Sequence, residues 1–395
     1  EGNTDMTGVV AAVSSVFGSI MLIIMVAMGY RLLISYRKGV RAAERELAGK
    51  LSRISAAREN VNTCNFFVCF ISFKDFRAQG KLIEHEAARS KGLLHWLDTY
   101  DDVQSFIGAN ATAFFSHQWL ARKTADPKNV HFNSMCDAAE IVCEVAGLEP
   151  ENLYLWVDTI SIPQRNSIQK SMSIQTIGLY ASISRYFIVI APHCLHADSG
   201  KACDAETYQK RGWCRLEQWA RMTIGGLENM YIFDDAASEK HKLTPISHQD
   251  GWYYDSIHVM HGDFTVDSDK DKLVDTLLGL WSVSLENRNQ ADNRVIYKLI
   301  MDNKSTVFPE ELFGDLIPLL EERVGVKTTL TRMISMASGT TLALGKEDKL
   351  PSTRTQLFSL FAVSQRGART LTYRNSASEH GQPGHPNAVE LQSAA

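Results

Sequence analysis

The sequence predicts an α/β fold: a doubly wound parallel β-sheet, preceded by one transmembrane helix and followed by a small, mostly helical region. Three observations support this prediction. Short apolar runs that end at polar residues alternate with segments of helical spacing, as a parallel sheet with crossover helices requires. A long uncharged run lies near the start of the chain, and basic residues follow it. Beyond the last strand-like run, the segments at 267–281, 297–301 and 309–324 have helical character.

The first element is an uncharged run of 25 residues, Met6 to Tyr30. As a helix it would rise roughly 37 Å, enough to cross a hydrocarbon core of about 30 Å. The charged residues before it are acidic, Glu1 and Asp5, and those that follow it are basic. The positive-inside rule therefore places the rest of the chain in the cytoplasm. A signal peptide would have its basic residues before the run, and a buried core helix would be shorter. The sequence therefore predicts a single-pass membrane protein that contacts lipid through residues 1–35.

Residues 36–60 are predicted to continue this helix beyond the membrane. They include seven basic and three acidic residues, with Leu and Ala at helical intervals. Two interpretations stay open: a solvated spacer, or a helix whose basic residues bind anionic headgroups at about 1 kcal/mol each. Within the membrane segment, Ala11, Ser15 and Ser19 form a ladder of small residues. Such a ladder would let two helices pack closely, although small residues are common in membrane helices.

Residues 61–285 are predicted to form the α/β domain. The apolar run Asn65–Phe73 is too short to span a bilayer and predicts a strand. The segment from Lys81 to Leu97 has amphipathic spacing and predicts a helix. Together these segments are expected to add an edge strand and a covering helix to the sheet.

A β-α-β unit follows. The apolar runs at 113–120 and 153–164 stop at His117 and Asp158, respectively. Between them, residues 135–147 have helical spacing and end in glycine, where a helix would stop. In such a unit both polar strand ends fall on the carboxyl edge of a parallel sheet, where open α/β folds place their sites.

Two further strands and a helix continue the alternation. The strands are predicted at 184–192 and 229–234, and the helix at 213–222 lies between them. Residues of this helix at successive steps of three and four share one face: Cys214, Glu217 and Arg221.

These residues resemble those of Toll/interleukin-1 receptor (TIR) domains. In that family the first strand ends in serine, the second ends in aspartate, and Ser-x-Trp-Cys-x-x-Glu-Leu opens a helix. The matching positions here are Ser116, Asp158 and Trp213-Cys214-Arg215-Leu216-Glu217. The piece at 156–164 also looks like the Trp-Ile-Asp-x-x-Cys-Ile-Asn-Gln signature of fungal heterokaryon-incompatibility (HET) domains. The resemblance covers roughly the core at 111–235.

The resemblance implies a flavodoxin-like strand order, with the strand at 113–115 between those at 153–157 and 186–190. It also implies an activity. The glutamate of Trp-Cys-x-x-Glu is catalytic in TIR domains that hydrolyse NAD, which makes Glu217 the candidate catalytic residue. A carboxylate that binds ribose hydroxyls can stabilise the positive charge that develops as the nicotinamide–ribose bond breaks. The alternative for Glu217 is a solvated surface carboxylate, paired with a neighbouring arginine.

Four further residues are candidates for binding the ligand: Ser116, His117, Trp119 and Asp158. Ser116 and His117 are consecutive in a strand, so their side chains are expected on opposite faces and not as a nucleophilic dyad. Trp119 would stack on a ring of the ligand or fill a core edge. Asp158 would bind ribose or cap the following loop.

No metal and no cofactor are expected. One insertion contains four potential zinc ligands whose spacing matches no common structural site: His193, Cys194, His196 and Cys203. The seven cysteines include no Cys-x-x-Cys pair, which indicates a reduced, intracellular protein. Cys136 and Cys143 are expected to pack as small hydrophobic side chains on one helix face. The net charge of −4 argues against nucleic acid as a partner.

Two functions are therefore predicted. The first is a membrane-anchored, cytoplasmic TIR-like signalling domain that hydrolyses NAD, its substrate, to nicotinamide and an ADP-ribose product. The second is a non-catalytic TIR/HET-like module for protein–protein interaction, since one fold can serve both roles. Self-association through the α/β domain is expected in either case. Residues 286–344 are predicted to be helical. Residues 345–395, rich in Ser, Thr, Gln, Gly and Pro, are predicted to be a disordered tail.

Overall fold

The computed structural model describes residues 6–61, 63–234, 242–249 and 251–325. Its strands are β1 (Val68–Ser72), β2 (Leu94–Leu97), β3 (Ala111–His117), β4 (Leu153–Val157), β5 (Tyr186–Ile190), β6 (Cys194–Leu195), β7 (Ala202–Cys203), β8 (Met230–Asp234) and β9 (Lys242–Pro245). The predicted tail at 345–395 lies outside the described residues.

The helices fall into three groups along the chain. The first is α1 (Met6–Asn60) alone. Those of the sheet region are α2 (Phe73–Ala78), α3 (His85–Ser90), α4 (Tyr100–Ala109), α5 (Val130–Ala146), α6 (Asp158–Ser161), α7 (Ser167–Gln175), α8 (Ile177–Ile183), α9 (Ala205–Gln209) and α10 (Gly212–Ala220), which continues as a π-helical turn (Arg221–Gly225). Those that follow the sheet are α11 (Trp252–Ile257), α12 (Asp269–Glu286), α13 (Ala291–Asp302), α14 (Lys304–Val307), α15 (Glu310–Phe313) and α16 (316–325).

The predicted α/β class is confirmed: helices surround a mixed, mostly parallel sheet of seven strands in the order β2-β1-β4-β3-β5-β8-β9. The four central strands, β4, β3, β5 and β8, are parallel. Ala113 of β3 lies opposite Leu155 of β4 on one side and Tyr186 of β5 on the other. The predicted position of β3 between these two strands is therefore confirmed. At the edges, β1, β2 and β9 pair with their neighbours in antiparallel fashion.

The prediction of one helix from Lys81 to Leu97 is wrong. Only the short α3 is helical, and the chain turns at Gly92, whose φ of +70° favours glycine. Leu94–Leu97 then forms the edge strand β2, which pairs with β1. The prediction of β1 as an edge strand is also wrong, because β1 lies between β2 and β4. All five residues of β1 are buried, so its backbone groups need partners on both sides, and β2 supplies the second set.

Helices cover both faces of the sheet. On one face α5 packs against alternate residues of the parallel strands, and its predicted end at Gly147 is confirmed by a φ of +62° there. Cys136 and Cys143 are buried in this layer, as predicted. On the other face the ring of Phe114 stacks between Trp156 and Phe187, with centroid distances of 4.4 and 5.3 Å.

The long helix α1 contains 55 residues and rises roughly 82 Å. Among the described residues it is the one helix long and apolar enough to cross a membrane. Its continuation through residues 36–60 agrees with the prediction. Nearly every side chain from Ser14 to Gly49 is exposed, whereas Ile54 and Ala57 are buried against the rest of the protein.

From residue 269 onward the described residues are mainly helical, as predicted, whereas the helix α11 at Trp252–Ile257 was not predicted. α12 covers most of the predicted helix at 267–281 and extends it, and α13 covers the one at 297–301. The predicted helix at 309–324 is instead divided between α15 and α16. The division falls at Gly314, whose φ of +49° interrupts the helical backbone.

Candidate functional site

The candidate residues come from three elements whose ends meet at the carboxyl edge of the parallel strands. β3 ends with Ser116 and His117, Asp158 follows β4 directly, and α10 carries Glu217. Because β3 and β4 are adjacent and parallel, their ends lie side by side. The thiol of Cys214 lies 3.9 Å from the carbonyl oxygen of His117, which places the first turns of α10 against the end of β3.

Ser116 and His117 point to opposite faces of the sheet, as predicted. On the α10 face, the hydroxyl of Ser116 donates a hydrogen bond to Oε2 of Glu217. The same hydroxyl lies 2.6 Å from the hydroxyl of Tyr208, which then donates to it. Tyr208, Ser116 and Glu217 thus form a buried chain of hydrogen bonds, since all three are less than a tenth exposed.

Glu217 is 8% exposed, so its interpretation as a solvated surface residue is wrong. Burial raises the pKa of Glu217, the hydrogen bond from Ser116 opposes this, and the nearby charge of Asp158 adds to the rise. The resulting pKa is about 8. The carboxyl of Glu217 is therefore largely protonated and uncharged near neutral pH.

The neighbouring arginines bind elsewhere. The guanidinium of Arg221 is buried and lies 2.8 Å from the carbonyl oxygens of both Ser184 and Glu228. Arg215 donates to the carbonyl oxygens of Gln209 and His258. These contacts hold α10 against its neighbours, and they leave the Glu217 carboxyl to the hydroxyl of Ser116.

On the α5 face, His117 forms the centre of a second cluster. Its Nε2 lies 3.0 Å from Oδ1 of Asp158, and its Nδ1 lies 3.1 Å from Nδ1 of His131. Oδ2 of Asp158 accepts a hydrogen bond of 2.6 Å from the indole of Trp119, and its Oδ1 accepts one of 2.6 Å from the backbone of Thr159. Asp158 therefore binds the end of β3, and it also accepts a backbone N–H of the turn that follows β4 without acting as its N-cap.

The second cluster is ionic. Burial lowers the pKa of His117, but the charge and hydrogen bond of Asp158 outweigh it, so the net shift is upward. Burial likewise raises the pKa of Asp158, and the charge and hydrogen bonds of His117 and Trp119 reverse this to a net decrease. Burial and the positive charge of His117 hold the pKa of His131 well below its usual range. His117 is thus a cation that donates to Asp158 and to neutral His131.

At the end of β3, the carboxyl groups on the two faces of the sheet therefore differ in protonation state. Glu217 is uncharged within a chain of hydroxyls, and Asp158 is charged beside an imidazolium. Two titratable groups whose pKa values are shifted in opposite directions by their surroundings are typical of sites that perform acid–base or electrostatic chemistry. Such shifts also occur in structural ion-pair networks, so they mark a candidate site.

The structure brings the five predicted site residues together in two groups. Ser116 contacts Glu217, while His117 and Trp119 contact Asp158. Trp119 is partly buried, and the amine of Lys170 lies 6.0 Å from the centroid of its ring. Its partial burial fits a position at the edge of the core as well as one that a ligand could reach.

Sequence reasoning missed two residues of the site, Tyr208 and His131. Tyr208 belongs to α9, inside an insertion without a recognisable pattern; its one signal is the capping box of Asp204 and Thr207 at the start of that helix. His131 was missed because α5 was predicted to begin at 135. The carboxylate of Asp126, which accepts the backbone N–H groups of residues 130 and 132, was the available signal for the earlier start.

The insertion between β5 and α10 folds as a two-stranded ribbon. Cys194 of β6 and Cys203 of β7 lie opposite each other in it. Nδ1 of His193 lies 3.9 Å from Oδ2 of Asp204. Within the described ranges, no group of three or more His, Cys, Asp or Glu side chains is arranged to hold a metal ion.

Comparison with protein-family models, with curated proteins and with solved structures gives no match for this chain. Any proposal about family or function therefore rests on the motifs of the sequence and on the geometry of this site.

Proposed function

We propose that the protein is a membrane-anchored TIR-like signalling enzyme that hydrolyses NAD to nicotinamide and an ADP-ribose product. In this proposal α1 anchors the chain in lipid, the α/β domain lies in the cytoplasm, and the sheet adopts a flavodoxin-like arrangement. The single observation that carries the proposal is the state of Glu217. This glutamate of the Trp-Cys-x-x-Glu motif is buried at a strand end, hydrogen-bonded to Ser116, and has a pKa of about 8.

The reaction breaks the bond between the ribose carbon and the nicotinamide nitrogen. The electron pair of that bond passes to the nitrogen, which releases neutral nicotinamide and leaves a positive charge on the ribose. Water then adds to the ribose carbon and loses a proton. A carboxylate beside the ribose stabilises the positive charge most strongly in the transition state. Glu217 would supply this carboxylate.

Binding of the substrate would itself ionise Glu217. The nicotinamide ring of NAD is cationic, and a positive charge beside a buried carboxyl lowers its pKa. A residue with a pKa of about 8 in the free protein would therefore lose its proton when NAD binds. The chain of hydroxyls from Tyr208 through Ser116 would hold the carboxylate in position. The partly buried ring of Trp119 would stack on a ring of the substrate.

One observation favours the second candidate function, a non-catalytic interaction module. In α7, directly after the loop that follows α6, Ile168 is 72% exposed and Met172, one turn later, is also exposed. Two apolar side chains on one helix face suit a docking surface. Ile160 of α6 and Ile162 directly after it are buried, so the exposed side chains of α7 would form this surface.

The experiment is to incubate the full-length protein in lipid vesicles with NAD at high protein concentration and to measure released nicotinamide. Glu217→Gln should reduce the rate by at least about 100-fold, because it removes the negative charge that stabilises the ribosyl cation. Glu206→Gln is the matched control, since Glu206 is an exposed carboxylate of α9 that pairs with Lys210. It should keep the rate of the wild type.

Release of nicotinamide by Glu217→Gln at the wild-type rate would contradict the proposed role of Glu217. A wild-type protein that releases no nicotinamide would contradict the enzyme proposal as a whole. Signalling that survives Glu217→Gln but is lost in Ile168→Asp would then favour the interaction module.

A further inference from the structure

The C-terminal end of α1 packs against α12 in the manner of a coiled coil. Ile54 and Ala57 are buried there, three residues apart, in positions that correspond to a and d of a heptad. At Gly279 of α12 the two helices approach closely, since a Cβ atom there would lie 2.6 Å from the carbonyl oxygen of Ala57. The apolar face of α1 is therefore defined by an interface that is present in the structure.

Ion pairs flank this apolar contact on both sides, as at the g and e positions of a coiled coil. Nε of Arg53 lies 2.5 Å from Oδ1 of Asp275, and Arg58 pairs with Glu286. The ion pairs on both sides of this contact therefore agree with the heptad positions of Ile54 and Ala57.

The same heptad positions continue towards the N-terminus without a partner among the described residues. Steps of seven, and of three and four, lead from Ile54 to an apolar stripe that we call the seam: Leu33, Tyr36, Val40, Ala43 and Leu47. The four large side chains of the seam are 39% to 70% exposed. Lys50 separates the seam from the buried end; it pairs with Glu46 and with Asp315 of the C-terminal region.

Half of the residues outside the seam in this part of α1 are charged, and the apolar Leu32 and Ile34 lie next to the uncharged run. The charged residues outside the seam, from the end of the uncharged run to Gly49, are Arg31, Arg37, Lys38, Arg41, Glu44, Arg45 and Glu46. An apolar stripe bordered by charged residues is typical of a helix that packs against another. In water, most of the stability of such a helix comes from that packing.

A second copy of α1 fits the seam. The heptad positions extend into the uncharged run through residues that include small ones, which allow close approach: Ser15, Ser19, Leu22, Val26 and Gly29. Two copies anchored in one membrane have their helices parallel, so that their seams face each other in register. This last step rests on the membrane anchor of the proposed function, whereas the seam at 33–47 does not depend on it.

We propose that the seam is the interface of a parallel coiled-coil homodimer formed by α1 of two copies of this chain. The dimer joins two α/β domains at the base of their helices. Self-association thus arises in α1, in addition to any contact between the α/β domains.

The test is disulfide cross-linking of full-length protein in lipid vesicles and in detergent micelles. Single variants in the seam, Leu33→Cys, Val40→Cys and Leu47→Cys, are compared with variants on the opposite face, Lys38→Cys and Arg45→Cys. Under mild oxidation the seam variants should yield at least about tenfold more covalent dimer than the controls. The wild-type chain, with Cys64 and Cys194 half-buried, sets the background.

The pattern along the seam tests the direction of the helices. Cross-links at both Leu33→Cys and Leu47→Cys support the parallel dimer, because each position then meets itself. Cross-links at Val40→Cys alone indicate antiparallel helices and overturn the proposal. Equal yields on both faces overturn it as well, since they indicate random collision.

A second measurement does not depend on cysteine chemistry. The double variant Val40→Glu/Leu47→Glu should weaken the dimer by at least about tenfold in sedimentation equilibrium. Lys38→Glu/Arg45→Glu, which introduces the same two residues on the opposite face, should not. A wild-type monomer at every concentration, or a dimer unchanged by the seam variant, contradicts the proposal. Nicotinamide release by a monomeric protein would contradict the dimer and leave the proposed activity intact.

Discussion

The carboxyl edge of the sheet and the helix α1 depart from the usual distribution of polar and apolar residues in opposite directions. At the sheet edge, the ionisable side chains of Glu217 and His117 are buried and that of Asp158 is partly buried. They are satisfied by hydrogen bonds, Glu217 with Ser116 and His117 with Asp158. Along α1, large apolar side chains such as Leu33 and Val40 are exposed over several turns. Burying an ionisable group and exposing an apolar one are both unfavourable. The first region therefore indicates chemistry within one chain, and the second indicates a surface that a second molecule covers.

The largest expected effect on stability comes from removing Arg221, a buried charged residue with a purely structural role. Arg221→Ala removes the guanidinium that binds the carbonyl oxygens of Ser184 and Glu228. We expect a loss of about 3–5 kcal/mol in the free energy of unfolding, because buried carbonyl groups lose their donors. Arg165→Ala is the control: this side chain is 74% exposed and pairs with Glu84, so its loss should be below about 1 kcal/mol. Equal shifts in the unfolding temperature of the two variants would contradict this structural role of Arg221.

The next largest effect concerns Glu217. Unlike a surface carboxylate, it should make the free energy of unfolding depend on pH above its ordinary pKa. Its pKa rises from 4.5 to about 8 on folding, so the unfolded chain releases its proton first and the wild type loses stability as pH rises between these values. The Glu217→Gln variant has no titratable group at this position, so it does not lose this stability as pH rises. We expect the variant to gain up to about 5 kcal/mol relative to the wild type across this window. Thermal unfolding at a series of pH values measures it.

The control for this prediction is Glu206→Gln, on the exposed side of α9. Its stability relative to the wild type should vary little with pH. A Glu217→Gln variant that is uniformly less stable at every pH would show that the carboxyl is charged in the folded protein.

The ionic half of the site should respond to pH in a different way. The pair of His117 and Asp158 requires a protonated imidazole and an ionised carboxylate. Its contribution is therefore complete between the unfolded pKa values of 3.8 and 6.5. It is lost as pH rises through the raised pKa of His117, and as pH falls through the lowered pKa of Asp158. Asp158→Asn should cost about 2 kcal/mol within that window and less above it. A cost that does not change with pH would contradict the ionic pair.

The smallest expected effect concerns the exposed face of α7. Ile168→Asp should change the free energy of unfolding by less than about 0.5 kcal/mol, because the side chain contacts solvent. Nicotinamide release should also be unchanged, since Ile168 is outside the proposed site. A loss of release equal to that of Glu217→Gln would show that α7 takes part in the activity.

The sequence predicted the parts of the fold that local patterns determine. The apolar runs of β3, β4, β5 and β8 indicated parallel strands, and the motif at 213–217 indicated the helix that carries Glu217. Because the carboxyl ends of neighbouring parallel strands must meet, Ser116 and Asp158 were expected at one edge. The opposite orientations of Ser116 and His117 followed from the alternation of side chains along a strand.

The features of the fold and of the site that the sequence did not predict depend on contacts between distant segments. The segment at 81–97 has the spacing of a helix, but Leu94–Leu97 pairs with β1 as a strand and supplies partners for the second edge of that buried strand. Tyr208 reaches Ser116 only through the packing of α9 onto α10, which no local pattern encodes. The protonation state of Glu217 depends on that same packing, because burial is the main cause of its raised pKa. Likewise, the ion pair of Arg53 with Asp275 joins residues far apart in sequence.

The central claim is that Glu217 is uncharged in the folded, ligand-free protein while Asp158 is charged. An infrared difference spectrum of the wild type against Glu217→Gln, recorded from acidic to alkaline pH, tests it directly. A protonated carboxyl gives a C=O stretch that an ionised carboxylate lacks. The account predicts that this band is present at neutral pH and disappears with a midpoint of about 8. Absence of the band at neutral pH, with a midpoint near the ordinary value of 4.5, would contradict it.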